Sequence, residues 1–202
     1  SETVSGDFYD FLAMPDGRLG ISVGDVSGKG IPAALLMVMV RTLFRVTASE
    51  GDPPGRVLSR INRHLCRDIP SSMFVTMFFC LLGSDRQLVY GDAGHVKPIL
   101  LRPGQPPQVL EAEGAVLGVL DEAEFDERIV QLSQGDLLAL YTDGVVESIG
   151  PDGRMLGTEG FCALLEANRK QPPQAIAEAI AGGIRKIPGP LRDDLTLLVL
   201  RA

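Results

Sequence analysis

The sequence predicts an α+β fold, and three observations carry the prediction. Most of its apolar, strand-like runs follow one another across short Gly- and Asp-containing turns, so they pair antiparallel. Its helical stretches come in two groups of two instead of alternating with strands, which disfavours a doubly wound parallel sheet. The chain has 202 residues, enough for one sizeable core but too few for two ordinary domains and a linker, so residues 1–202 read as a single domain.

The elements follow in order. Phe8 to Met14 and Arg18 to Val23 read as two strands around the turn Pro15-Asp16-Gly17. That hairpin carries Asp7 at its start and Asp25 just past its end, and a tight turn sets the two side by side. A helix follows from Pro32 to Ala48, with proline in its first turn. Its apolar face (Ala33, Ala34, Leu36, Met37, Val40, Leu43) is nearly continuous, so the helix is expected to be well buried. A second runs from Pro54 to Arg67, with Val57, Leu58, Ile61 and Leu65 at helical spacing. The β-rich middle comprises Phe74–Leu82, Gln87–Gly91, Ile99–Arg102, Val109–Ala112, Phe125–Leu132 and Leu137–Tyr141. Two more helices, Phe161–Asn168 and Pro173–Ile187, precede Pro188-Gly189-Pro190. The closing strand Leu195–Leu200 is a continuous Leu and Val run that reads as buried on both faces.

Composition narrows the function. The net charge of −7 argues against a nucleic-acid groove, which needs clustered Lys and Arg. Every long apolar stretch is interrupted by Arg, Asp or Gly, so no membrane insertion of this domain is expected. Cys66, Cys80 and Cys162 show no CxxC and no ligand spacing with His64 or His95, so they read as buried thiols of a reducing, cytoplasmic compartment. None of them begins a CxxxxxR phosphate loop. The N-terminus carries no signal pattern, and Asp7 arrives before any complete strand. That start reads as a domain excised from a longer protein, lacking its first strand.

Four acidic clusters sit beside strand-like runs: Asp7 in SGDFYD, Asp25 in GDVSGKG, Asp143 in YTDGVVES, and Asp193 with Asp194 in RDDLTLLVL. Carboxylates held at strand ends suit a hard divalent cation. Taken singly, each also reads as an ordinary turn. GDVSGKG is not a P-loop: three residues separate Gly24 from Gly28, and Gly30 stands where the magnesium-binding hydroxyl belongs. It reads better as a strand end whose Asp25 carboxylate and Val26 carbonyl both reach a cation, with glycines letting the backbone fold closely around it. Asp10 falls on another strand face from Asp7 and reads as a surface or supporting acid; Glu147 reads as a helix-start or solvent residue. His95, in GDAGHVKP, is a structural histidine or a phosphate contact or general acid.

Jointly, SGDFYDF, GDVSGKGIPAALLM, GDAGHVKPILLR, GAVLGVL, LLALYTDGVVES and DDLTLLVLR resemble the metal-dependent protein phosphatases of the PPM (PP2C) class, in the bacterial SpoIIE/RsbU-like branch. The resemblance covers almost the whole chain. It implies a four-layer αββα sandwich of two antiparallel sheets flanked by helices, and two Mn²⁺ or Mg²⁺ ions. It also implies metal ligation by Asp7, Asp25, the Val26 carbonyl, Asp143 and Asp193, with Asp194 as the close alternative to Asp193. The implied reaction is hydrolysis of a phosphoserine or phosphothreonine protein, with Asp7, Asp25, Asp143 and Asp193 acting through a metal-bridging hydroxide. The implied substrate is a phosphorylated STAS-type anti-sigma-factor antagonist, and the implied partners are an upstream sensor or receiver domain and a second copy in a homodimer. Two departures stand out: Ser5 replaces the first glycine of GGD, and Asp92 stands where Asn is common before AGH. A catalytically weak adaptor of the same fold is the competing reading, and a purely structural cation site is a third.

Overall fold

The computed structural model describes residues 5–150, 153–186 and 194–202. Along the chain run β1 (Phe8–Ala13), β2 (Leu19–Val26), α1 (Ile31–Ala48), α2 (Pro54–Asp68), β3 (Val75–Leu82), β4 (Gln87–Ala93), β5 (Ile99–Leu101), β6 (Gln108–Val109), β7 (Glu127–Gln131), β8 (Leu137–Tyr141), α3 (Asp143–Val146), α4 (Gly157–Asn168), α5 (Pro173–Arg185) and β9 (Leu197–Arg201). Contacts divide them into two compact units, Ser1–His95 with Glu111–Leu132, and Val96–Leu110 with Ser133–Ala202.

The first unit holds an antiparallel sheet in the order β1-β2-β3-β4-β7. The Pro-Asp-Gly turn forms as expected, with Gly17 at φ 84° and the Asp16 carboxylate accepting the Arg18 amide. Helices α1 and α2 bury Leu36, Val40, Phe44, Leu58, Ile61 and Leu65 in a core with Phe8, Val26, Met77 and Phe79. The Phe44 and Phe79 rings meet edge to face, 4.9 Å between centroids. Asn62, fully buried on α2, donates to the Leu120 carbonyl at 2.7 Å and accepts the Gly118 amide at 2.8 Å. A buried amide satisfied this way ties the GAVLG segment to the helix.

The second unit holds an antiparallel sheet in the order β6-β5-β8-β9. Helices α4 and α5 cover it with Phe161, Leu165, Ile176 and Ile180, packed with Ile99, Leu101, Ala139 and Tyr141. Among the described residues β9 closes one end of that sheet, and Leu197 to Leu200 are half-buried. The expectation that this strand is buried on both faces therefore fails: an end strand keeps partial solvent access whatever its composition.

Helix α1 also departs from expectation. Ile31, Leu35, Val38 and Val46 are exposed, so only one side of the helix enters the core. Length and composition alone would let α1 cross a bilayer, but its Leu36, Val40 and Phe44 belong to the core of the first unit and its arginines are paired.

Those arginines account for Asp10, which is 4% exposed and not a surface acid. Strand alternation puts it on the α1 side of β1, with Phe8 and Leu12. Arg45 grips both its oxygens, Nε to Oδ2 at 2.5 Å and Nη2 to Oδ1 at 2.6 Å. Arg41 adds a bond at 3.1 Å, and the Phe11 amide donates to Oδ1 at 2.9 Å. Burial pushes the carboxyl pKa up, but the hydrogen bonds from Arg45 and Arg41, the Arg41 charge and the Phe11 amide outweigh it and hold the group below its usual value. Arg41 and Arg45 are one turn apart on α1, so the cluster fastens the helix to the strand.

A depressed folded pKa stabilises the protein fully above the unfolded value of about 3.9 and stops doing so as pH falls through the folded value. Asp10→Asn is expected to lower unfolding free energy at neutral pH by about 2 kcal/mol, the half-exposed guanidiniums softening the loss. It should also make the decline of stability between about pH 5 and pH 2 shallower than in the parent. Urea titrations across that range check both; an unchanged pH slope would show that Asp10 is not the group responsible.

Candidate metal centre

The register of the first hairpin brings Asp7 and Asp25 together. Phe8 lies opposite Gly24, and the Val26 amide donates to the Gly6 carbonyl at 3.3 Å, so the step between sets Asp7 opposite Asp25. Strand β2 runs through Asp25 to Val26 instead of stopping at Val23, because Asp25 and Val26 pair with Thr76 and Val75 of β3. Asp25 is thus a strand residue, with a rigid backbone behind its carboxylate. The Ser5 hydroxyl accepts the Asp7 amide at 3.1 Å. A groove of about 510 Å³ extends from Asp7 along β1 to Met37, Arg41 and Arg45 of α1.

Glycine is demanded here in two ways. A Cβ on Gly6 would come 2.8 Å from the Val26 carbonyl oxygen and 3.1 Å from Asp25 Oδ1; one on Gly24 would sit 2.5 Å from the Phe8 ring and 2.7 Å from the Thr76 carbonyl. These two are sites of close approach. Gly28 and Gly30, at φ 97° and 76°, have nothing within 4 Å of such a Cβ. They are required by backbone angle as the chain turns into α1, which corrects the expectation that they let the chain crowd a site.

In the second unit Asp143 opens the short helix α3, directly after β8. Thr142 is fully buried; its amide donates to the Thr196 carbonyl at 3.1 Å and its hydroxyl accepts the Thr196 amide at 3.1 Å. This pair prolongs the β8–β9 register, in which Tyr141 faces Leu197. Beyond that pair the chain leaves the ladder, Asp143 beginning α3 on one side and exposed Asp194 lying two residues before Thr196 on the other. Asp193 lies outside the described residues. Glu147 is exposed at the end of α3, consistent with a solvent residue.

In the first unit the register therefore sets Asp7 against Asp25; in the second, Asp143 follows Thr142 directly and Asp194 stands two residues before Thr196, on the two chains that the Thr142–Thr196 bonds join. Among the described residues no group of three or more His, Cys, Asp or Glu is arranged to hold an ion. The residues present fit a hard divalent ion in kind: all are oxygen donors, and the space a Cβ on Gly6 would fill is bounded by the Val26 carbonyl and Asp25 Oδ1.

His95 is buried at 4% exposure. Its amide donates to Asp92 Oδ1 at 2.7 Å, and its Nδ1 lies 2.9 Å from Thr76 Oγ1. The Asp92 of GDAGH is fully buried, so the acid in place of Asn serves the turn that presents His95. The sequence reading missed Thr76, Thr142 and the Asp10 partners; arginines spaced i, i+4 on α1 were the available signal for the last. The three cysteines are unpaired with one another; Cys80 is buried, while Cys66 and Cys162 are only half-buried. Burial pushes all three thiols up, so none is the low-pKa thiolate a cysteine phosphatase needs.

The fold is that of the PP2C-type phosphatase domains, two antiparallel sheets flanked by helices. The chain is similar over 98% of its length to the SiaA-PP2C domain of Pseudomonas aeruginosa, of which it covers 81%, with 25% identity and a TM-score of 0.85. It belongs to the Stage II sporulation protein E (SpoIIE) family, whose model matches residues 15–202. It is 32% identical, over its whole length, to Phosphoserine phosphatase RsbU of Bacillus subtilis, and spans 60% of that relative. It is also similar to the structure of the RsbU and RsbW domains of Rv1364c from Mycobacterium tuberculosis, with 31% identity, 98% of this chain and 55% of that one covered, and a TM-score of 0.85. RsbX in complex with magnesium shares the fold at 18% identity, with 98% and 88% covered and a TM-score of 0.73.

The two kinds of glycine make a measurable contrast. Gly24→Ala, whose Cβ meets a backbone carbonyl as well as the Phe8 ring, is expected to cost about 1–3 kcal/mol; Gly28→Ala, strained in angle alone, about 1 kcal/mol. Urea midpoints with unchanged m-values test this, and a larger loss at Gly28 would contradict the close-approach account.

Proposed function

We propose that residues 1–202 act as one metal-dependent serine/threonine phosphoprotein phosphatase domain. The observation that carries the reading is the juxtaposition of Asp7 and Asp25 beside the Val26 carbonyl, at the head of the groove along β1. In this reading Asp7, Asp25, the Val26 carbonyl, Asp143 and Asp193 or Asp194 serve as ligands. Together they hold two Mn²⁺ or Mg²⁺ ions. When bound, such ions supply Lewis acidity toward phosphoryl oxygens and make a water acidic enough to attack as hydroxide. The chain's own part is to fix the oxygens: short aspartate side chains on paired strands leave little freedom to lose on binding. The groove beside Asp7 gives the phosphorylated segment a place to lie. The raised cysteine thiols support a route without a phosphocysteine.

The name of the RsbU relative supports phosphoserine as the group hydrolysed. We further propose a phosphorylated STAS-type anti-sigma-factor antagonist as substrate, in cytoplasmic bacterial stress signalling, with an upstream sensor or receiver domain as the controlling input and a homodimer as the working assembly. Turnover of an aryl phosphate and of a phosphoserine protein should require Mn²⁺ or Mg²⁺ and vanish with chelator. Asp25→Ala and Asp143→Ala should each lower it by about 100-fold or more, beyond what loss of an outer-sphere partner does. Robust turnover with chelator present would sink the proposal. Metal binding without turnover would favour the adaptor, and unfolding on chelation the structural cation site.

A further inference from the structure

We infer that the outer stripe of α2 docks an acidic segment of the phosphoprotein substrate. The inference rests on the proposed phosphatase activity and adds what the chain reads in that substrate besides its phosphate. Arg56, Arg60, Arg63 and Arg67 recur every three or four residues on α2, so they line one side of the helix over about 16 Å. The core takes the opposite side, with Val57, Leu58, Ile61 and Leu65. The only acid in the helix is Asp68, its last residue. In a chain of net charge −7 this is a local reversal of sign.

The two halves of the stripe are treated differently. Toward the start of α2, acids of this chain cover it. Arg60 Nη1 donates to Glu50 Oε2 at 2.5 Å and Nη2 to Oε1 at 2.9 Å. Asp52 accepts from Arg60 at 3.1 Å and from Arg56 at 3.2 Å. Toward the end of α2, Arg63 and Arg67 are exposed, and neither forms an ion pair among the described residues. Arg63 Nε reaches only the Ser59 carbonyl, at 3.4 Å. Arg60, Arg63, His64 and Arg67 line a hollow of about 190 Å³. Guanidiniums present forked N–H donors that match carboxylates. Glu50-Gly51-Asp52 shows the kind of segment that satisfies them here, a short loop with acids two residues apart.

The uncovered half is the one nearer the Asp7–Asp25 pair. Ile69, just past α2, packs so closely on Gly118 that a Cβ there would come 2.5 Å from its Cδ1. Gly118 follows Leu117, which exchanges two backbone hydrogen bonds with Val75, at 3.1 and 2.8 Å. Val75 in turn lies opposite Val26. A substrate whose phosphoserine sits beside Asp7 and Asp25 thus has Arg63 and Arg67 at the same end of the unit for a neighbouring segment. A membrane or a nucleic acid fits this face less well. Asn62 of α2 holds the Leu120 carbonyl, which brings the run Asp121-Glu122-Ala123-Glu124 alongside the helix. A broad polyanion would meet those charges; a narrow acidic segment need not.

The test compares phosphoserine peptides as substrates of the whole chain with Mn²⁺. One set carries a run of Asp and Glu at spacings of up to about ten residues from the phosphoserine, a reach of about 33 Å when extended; the control set has Ser and Gln in the run. At low ionic strength the parent should favour the best acidic peptide in kcat/KM by about 10-fold, the effect of a few exposed ion pairs, and by less as salt is added. Arg63→Glu combined with Arg67→Glu should abolish that preference and favour a peptide with Lys in the run. The ratio is read within each protein, so a change in overall rate drops out. An unchanged ratio would overturn the inference, whether or not both rates fall. A second arm needs no turnover: in fluorescence anisotropy without metal, the labelled acidic peptide should bind the parent more tightly than the double variant, and equal binding would count against the stripe. Should the parent hydrolyse no peptide with Mn²⁺, the phosphatase reading fails, while this arm still decides whether the stripe takes an acidic segment. Tighter capture of phosphatidylserine vesicles than of the acidic peptide, or a dimer that the double variant loses, would assign the stripe to another occupant and overturn the proposal.

Discussion

A slip of one residue between β1 and β2 would undo the first unit. The present register, with Phe8 opposite Gly24, does three things at once. It sets Asp7 against Asp25, lays the Gly6 carbonyl on the Val26 amide, and turns Asp10 toward α1. Because side chains alternate faces, a shifted pairing would send Asp10 away from Arg41 and Arg45 and leave the two arginines without their shared carboxylate. The ion cluster and the acid pair are thus two readouts of one alignment. Fastening the helix with Asp10 also steadies the strand whose first neighbour is Asp7.

The second unit reaches a similar end by other means. There a threonine side chain, not a glycine carbonyl, prolongs the pairing beyond the strands. Thr142 answers Thr196 with both its amide and its hydroxyl, so the chain can leave the ladder and start α3 with Asp143 still in a defined place. Both devices spend backbone hydrogen bonds just where a strand would otherwise fray. An acid set on a frayed end would lose much of its advantage, since ordering it would then oppose any ligand it bound.

What could be read in advance was local. The Pro-Asp-Gly turn fixes the hairpin from neighbouring residues alone, and with it the meeting of Asp7 and Asp25. Helices α1 and α2 announce themselves by proline and apolar spacing. Partners distant in sequence were not legible: nothing in FYDFLA says that Asp10 will meet arginines 31 and 35 positions on. For the same reason α1 looked more buried than it is, because apolar composition names residues that can enter a core and not which of them do. The Leu and Val run of β9 misled likewise, since its place at the end of a sheet is a property of the topology. His95 shows the limit most clearly. Its motif marked it as noteworthy, but its contacts with Thr76 and Asp92 are set by the fold.

The close approach at Gly6 and Gly24 has a genetic side. Every single-base missense change in a glycine codon introduces a side chain with a Cβ, and at these two positions that atom has nowhere to go. No neighbouring codon offers a smaller step, so point mutation cannot adjust either position gradually. Aspartates can be traded for asparagine or glutamate and sampled by drift; these glycines are held or lost outright. In a mutational scan the strictest intolerance around the candidate centre would therefore fall on residues that contribute no functional group at all.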